Sequence, residues 1–101
     1  MATEKELSSE AEIKGALAEL PGWKLQGKRI AKQYDLKAFK AAMAFATTIA
    51  ELAERADHHP DILIEYSKVT LTLSSHDLGG ITDLDLRLAR QIEAAAKDAV
   101  A

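Results

Sequence analysis

Residues 58–76 read HHPDILIEYSKVTLTLSSH, and the alternation inside this stretch decides the fold. From Lys68 to Ser74, Val69, Leu71 and Leu73 are apolar while Thr70, Thr72 and Ser74 carry hydroxyls. Successive strand residues point to opposite faces, so this pattern predicts a strand with one buried and one wet face. Ile62 to Tyr66 is a second short apolar run, bounded by Pro60 and Ser67, and reads as the preceding strand of a hairpin. Pro60 disfavours helical geometry at His59. The adjacent histidines therefore mark a corner where a helix gives way to a strand.

Downstream of this hairpin, Gly79-Gly80 breaks the chain. Thr82-Asp83-Leu84-Asp85 then opens a last helix, with Leu84, Leu88, Ile92, Ala95 and Ala99 expected to face the core. Upstream, Asp35 is the expected cap of a long helix reaching about Arg55, with Phe39, Ala42, Met43, Ala46, Ile49, Ala50 and Ala53 as its apolar stripe. Phe45 and Leu52 fall off that stripe, and a second apolar line on one helix suggests a subunit contact or a deeper burial than usual. Before this helix, Trp23 and Leu25, then Ile30, Lys32 and Tyr34, alternate on either side of a Gly27-Lys28 turn and read as another hairpin. Ser9 and Glu12 form a capping-box pattern ahead of Ile13, Ala16, Leu17 and Leu20, until Pro21-Gly22 stops the first helix. The predicted order is α-β-β-α-β-β-α. Four antiparallel strands bury a face only when something covers it, and the helices are the available cover. The expectation is an α+β fold, a four-stranded antiparallel sheet with three helices on one face, formed by residues 1–101 as a single domain.

A chain of 101 residues with 48% hydrophobic and 29% charged residues suits one compact domain. Its small size gives it extra reason to associate, so a homodimer or homotetramer is expected. The formal net charge of −3 lacks the basic stripe that phosphate contacts require, which argues against nucleic acid as a partner. Charged residues stand at the N-terminus where a signal peptide carries its apolar stretch, and no window approaches ~20 apolar residues. No membrane partner and a cytoplasmic location are expected. The chain has no cysteine, and neither a Gly-rich phosphate loop nor a nucleophile elbow is present. No cofactor is expected.

The chemistry lies in three histidines, none inside a regular apolar stripe. His58 and His59 close the long helix, and His76 follows the best-defined strand. A hairpin brings the end of its second strand back beside the start of its first, so all three imidazoles are expected at one end of the sheet. Glu54 and Asp57 precede the pair and Asp77 follows His76, where carboxylates can orient imidazoles. Two chemistries fit such a cluster. A metal site needs converging ligands, and HH-x16-H is not one of the short ligand pairings that specify zinc. Proton transfer needs only that two imidazoles flank a substrate, one as acid and one as base.

The pattern Glu54-x3-His58-His59-Pro60-x5-Tyr66-x9-His76-x8-Asp85 resembles the signature of the pterin-4a-carbinolamine dehydratases. Leu20-Pro21-Gly22-Trp23 in front and His76-Asp77-Leu78-Gly79-Gly80-Ile81-Thr82 behind are similar as well, so the likeness spans roughly residues 9 to 96. The resemblance implies a four-stranded α+β sandwich and a lyase that takes water from a 4a-hydroxytetrahydropterin to give quinonoid dihydropterin, recycling the cofactor of aromatic amino-acid hydroxylation. It implies His58, His59 and His76 as catalytic residues; from acid–base chemistry His59 and His76 are expected to move the protons and His58 to bind or polarise the substrate. Glu54, Asp57, Pro60 and Asp85 are implied as substrate-binding positions, and no metal is implied. Asp85 also stands where a capping box puts an acid. Ile62 and Leu78 stand where vertebrate-like members carry tryptophan and cysteine, so the chain looks like the bacterial branch. The vertebrate members' second role, as dimerisation cofactor of a homeodomain transcription factor, is not carried over. The alternatives are a dehydratase-like binding or assembly protein without catalysis, and a metal-binding module.

Overall fold

The computed structural model describes residues 6–99. Their elements are α1 (Glu10–Ala18), β1 (Lys24–Gln26), β2 (Arg29–Asp35), α2 (Phe39–Ala56), β3 (Asp61–Glu65), β4 (Lys68–Leu73) and α3 (Asp83–Ala99), in the predicted order. The sheet runs β1-β2-β4-β3 with every pair antiparallel. Two local hairpins are thus joined at β2 and β4, and α2 makes the crossover between them. In the central pairing Ile30 lies opposite Leu73, Lys32 opposite Leu71 and Tyr34 opposite Val69. Ile30, Val69, Leu71 and Leu73 are each 0% exposed, so the alternation of β4 marks the helix-covered face as its sequence predicts. Ala31, Gln33, Thr70 and Thr72 belong to the opposite face, where they line a shallow open depression with Lys24 and Gln26.

The capping box of α1 is formed: the Glu12 amide donates to Ser9 Oγ at 3.1 Å, and the Ser9 amide donates to Glu12 Oε1 at 2.7 Å. The expected Asp35 cap is not. Asp35 ends β2, and Ala38 takes the N-cap position of α2 without a side-chain hydrogen bond. The Asp35 carboxylate instead accepts from the Lys37 amide at 2.9 Å, which holds its carboxyl below the usual range. The turn between strand and helix uses that acid before the helix begins.

The buried stripe of α2 keeps Ala42, Ile49 and Ala53 from the expected one but takes Phe45 in place of Phe39 and Met43. Ala42, Phe45, Ile49 and Ala53 face inward, with Leu52 partly buried against the core. Phe45 meets Tyr34 edge to face with ring centroids 5.1 Å apart, so it is a core residue and not a subunit contact. Phe39 and Met43 are the exposed ones, at 50% and 44%. An alanine-rich helix offers two apolar lines of similar strength, and contact with α3 and the sheet selects between them. In α3 the buried line is Asp85, Leu86, Leu88, Ala89, Ile92 and Ala96, while Leu84 and Ala95 are half-buried and Ala99 is exposed.

A polar cluster ties α3 to the first hairpin. Glu93 Oε2 accepts from Lys32 Nζ at 2.6 Å, from Trp23 Nε1 at 3.3 Å and from the Tyr34 hydroxyl. Lys32 also donates to the Pro21 carbonyl at 2.7 Å and lies 4.6 Å from the Tyr34 ring centroid. Burial, then the bond to Glu93, pushes the Tyr34 phenol well above its usual range. Burial also pushes the Glu93 carboxyl up, but the hydrogen bonds from Lys32 and Tyr34 and the Lys32 charge outweigh it, leaving the group below the usual glutamate range. A lowered carboxyl contributes stability above its unfolded value and loses it as the pH falls through the folded one. Glu93→Gln is expected to lower the thermal midpoint at neutral pH and to flatten its decline between about pH 6 and about pH 3. Thermal unfolding of both proteins across that window measures this. An unchanged acid limb would remove Glu93 from the account.

Candidate active site

Helix α2 ends at Ala56, and Asp57 follows with left-handed φ of 51°. The His58 amide reaches back to the Ala53 carbonyl at 3.1 Å, the six-to-one bond that closes a helix through a left-handed residue. This reversal sends consecutive histidines in different directions. His58 turns inward and is 8% exposed, its Nε2 lying 2.5 Å from Asp85 Oδ1. His59 turns outward, its Nε2 2.6 Å from Oε2 of Glu54 in the last turns of α2. The chain then enters β3, where Asp61 pairs with Thr72.

The same register brings His76 to this end. Strand β4 finishes at Leu73, one residue beyond Thr72, so Ser74, Ser75 and His76 leave the sheet where His58 and His59 approach it. A tight loop forms there. The Ser75 amide donates to the Gly80 carbonyl at 2.8 Å, and the Gly79 amide donates back to the Ser75 carbonyl at 2.9 Å. Gly79 supplies the left-handed φ of 70° that this closure needs. His76 sits on the loop, exposed, and its ring makes no hydrogen bond among the described residues.

Asp85 lies in the first turn of α3 and is 0% exposed. A buried carboxylate is costly unless it is paired and hydrogen-bonded, and here both oxygens are supplied. Oδ1 faces His58, while Oδ2 accepts from the Thr82 amide and the Ser75 hydroxyl, each at 2.8 Å. Thr82 Oγ1 lies 2.7 Å from Ser75 Oγ and receives the Leu84 amide at 3.3 Å. Asp85 is thus both a helix cap and the partner of a buried imidazole.

Of the residues expected at a site, Glu54, His58, His59 and Asp85 form two imidazole–carboxylate pairs at one end of the sheet, and the His76 loop lies at the same end. The two pairs differ in setting, one buried and the other exposed. Asp57 contributes its backbone conformation, and among the described residues its carboxylate bonds to no imidazole. Pro60 is half-buried at the entry to β3. Tyr66 is remote, in the turn at the opposite end of the β3–β4 hairpin, where it is 74% exposed with φ of 54°. Among the described residues no group of three or more His, Asp or Glu side chains is arranged to hold a metal ion. Ser75 and Thr82 were absent from the expected set. Continuing the β4 alternation past Leu73 turns Ser75 inward, and an inward hydroxyl requires a partner, so a signal for Ser75 was there to read.

Comparison with known proteins bears on what this geometry serves. Residues 6–95 match the family described as Pterin 4 alpha carbinolamine dehydratase. A protein of Roseiflexus castenholzii (strain DSM 13941 / HLO8), named "Putative pterin-4-alpha-carbinolamine dehydratase", is 51% identical over 87 residues, covering 86% of this chain and 94% of its own. A Nocardia farcinica protein of the same name is 47% identical over 92 residues, covering 91% and 97%. Among solved structures, a transcriptional coactivator/pterin dehydratase from Brucella melitensis superposes with TM-score 0.85 at 35% identity, over 90% of this chain and 99% of that one. A pterin dehydratase-like protein described as a RuBisCO assembly factor in the alpha-carboxysome superposes with TM-score 0.60 at 23% identity, over 73% and 86%. That last likeness is one of fold.

The two imidazole–carboxylate pairs are expected to differ in energetic weight. Asp85 accepts from the His58 imidazole, the Ser75 hydroxyl and the Thr82 amide, and each buried donor stranded by its removal costs ~1–3 kcal/mol, whereas an exposed pair contributes ~0–1 kcal/mol. Asp85→Ala should therefore lower unfolding stability by at least ~3 kcal/mol, and Glu54→Ala by less than ~1 kcal/mol. Urea unfolding of the two variants compares them. Equal losses would contradict the burial of the His58–Asp85 pair.

Proposed function

We propose that this chain, which belongs to the pterin-4a-carbinolamine dehydratase family, removes water from a 4a-hydroxytetrahydropterin by histidine acid–base catalysis. In this reaction the bond from C4a to oxygen breaks, the oxygen leaves with an added proton as water, and the ring gives up a proton to form the quinonoid dihydropterin. Imidazole, with an ordinary pKa near ~6.5, can give a proton and take one near neutral pH. The observation that carries the reading is the gathering of the His58–Asp85 pair, the His59–Glu54 pair and the His76 loop at one end of the sheet. His59 and His76 are exposed to an incoming solute and take the proton transfers. His58, anchored to a buried carboxylate, binds or polarises the ring. Glu54 and Asp85 act on the substrate through the imidazoles they hold. The reading places the enzyme in the cytoplasm, in the recycling of the pterin used by aromatic amino-acid hydroxylation. No observation favours an assembly role over this one, since all three histidines and two carboxylate partners are present.

The test is dehydration of a 4a-hydroxytetrahydropterin generated in place by a hydroxylase. His59→Ala and His76→Ala should each lose ~100-fold or more in rate while keeping the wild-type circular dichroism. The rate profile of the parent from about pH 5 to about pH 9 should be bell-shaped, with limbs that belong to the coupled cluster. A flat profile, or no acceleration over buffer by folded protein, would overturn the reading.

The partner is proposed to be a second copy of the chain, giving a homodimer or homotetramer. Phe39 and Met43 form an exposed apolar line on α2, and the same helix carries a groove lined by Thr47, Ala50, Glu51, Glu54 and Arg55. The edge strand β3, with Ile62 and Leu63 exposed, offers a second pairing surface. Phe39→Glu with Met43→Glu should reduce the assembly by at least one step, measured by light scattering at micromolar concentration. A monomeric parent would refute self-association, and an unchanged assembly in the double variant would remove α2 from the contact.

A further inference from the structure

Ser75 is 1% exposed, and its hydroxyl lies between two polar groups, Asp85 and Thr82. The donors and acceptors of this cluster can be assigned in full. The Thr82 amide can only donate, so Asp85 Oδ2 accepts from it at 2.8 Å. The Ser75 hydroxyl gives its single proton to the same oxygen at 2.8 Å. Ser75 Oγ is left to accept, and the Thr82 hydroxyl donates to it at 2.7 Å. Thr82 Oγ1 in turn accepts the Leu84 amide at 3.3 Å. The opposite assignment sends the Thr82 proton to Asp85 over 3.4 Å and is the poorer bond. The remaining oxygen, Asp85 Oδ1, faces His58 Nε2 at 2.5 Å, and a carboxylate there accepts the imidazole proton when it is carried on Nε2.

In neutral imidazole only one nitrogen carries a proton, so with the proton on Nε2 His58 Nδ1 is left with a lone pair. Among the described residues no buried side-chain nitrogen or oxygen lacks a hydrogen-bond partner. Among the described residues His58 Nδ1 is bonded to no protein group, and 8% of the residue remains exposed. The backbone of Ser75 meanwhile anchors both ends of the loop that presents His76, through the Gly80 carbonyl and the Gly79 amide.

We propose that Ser75 is a positioning residue: its hydroxyl fixes Asp85 so that His58 is held as the Nε2–H tautomer with Nδ1 offered to the substrate, while its main chain sets where His76 stands. The side chain of one residue and its backbone thereby fix the spacing of two histidines that are distant in sequence. His58 then meets the pterin as a hydrogen-bond acceptor for a ring N–H or hydroxyl. This rests on the dehydratase reading for the identity of the substrate, but the tautomer and its control by Ser75 do not.

The experiment is nitrogen-15 NMR of the imidazoles at about pH 8, where an ordinary histidine is neutral, together with dehydration kinetics. In the parent, long-range proton–nitrogen correlations should place the His58 proton on Nε2. Ser75→Ala should retain the fold yet turn that signal into a mixture of tautomers or broaden it, and lower kcat about tenfold with KM changed less than about twofold. Ser75→Thr, which keeps a hydroxyl, should recover the parent spectrum and most of the rate. A parent His58 carrying its proton on Nδ1 would overturn the proposal without any variant. So would a Ser75→Ala protein matching the parent in both spectrum and kcat. An inactive parent that nevertheless shows the Nε2–H tautomer and its loss in Ser75→Ala would sink the dehydratase reading and leave the positioning role standing.

Discussion

The buried carboxylate of Asp85 is the constraint on which this end of the molecule depends. A charged group with 0% exposure persists only if its lone pairs are filled by donors held in place. Those donors come from three segments: His58 from the corner after α2, Ser75 from the exit of β4, and Thr82 from the start of α3. None can move independently without uncovering the charge. Helix, hairpin and final helix are locked together at one point, and that point is where the histidines gather.

Helix α3 is held a second time farther along. Glu93 lies eight residues beyond Asp85, about 12 Å along the helix axis, and receives Trp23, Lys32 and Tyr34 from the first hairpin and the turn before it. Between these polar anchors the helix buries Leu88, Ala89 and Ile92. Apolar packing supplies most of the driving force but tolerates small slides and rotations. Two directional clusters two turns apart remove that freedom, so the first turn of α3 meets His58 at a defined height and angle.

The histidines consequently have different mechanical characters. His58 is fixed by a buried partner, His59 by an exposed one, and His76 is carried on a closed loop. His58 is thus the rigid imidazole of the three, and His59 and His76 are the accessible ones.

Much of this was written locally in the chain. The hairpins, the capping box at Ser9 and Glu12, the one-sided burial of β4 and the convergence of the histidine segments follow from period-two alternation, from Pro60, and from antiparallel register. These are effects of neighbours in sequence. The phase of α2 was legible only in part: Ala42, Ile49 and Ala53 lie on the expected stripe, but Phe39 and Met43 were as plausible there as Phe45. Only docking against α3 and Tyr34 determines which is buried. Nor was it legible that Asp85 would be capped and paired at once, or that His58 would be buried while His59 is exposed. Those outcomes depend on a left-handed turn at Asp57 meeting the first turn of α3 across the fold, and a sequence read locally cannot rank contacts between segments that only the folded chain brings within hydrogen-bond range.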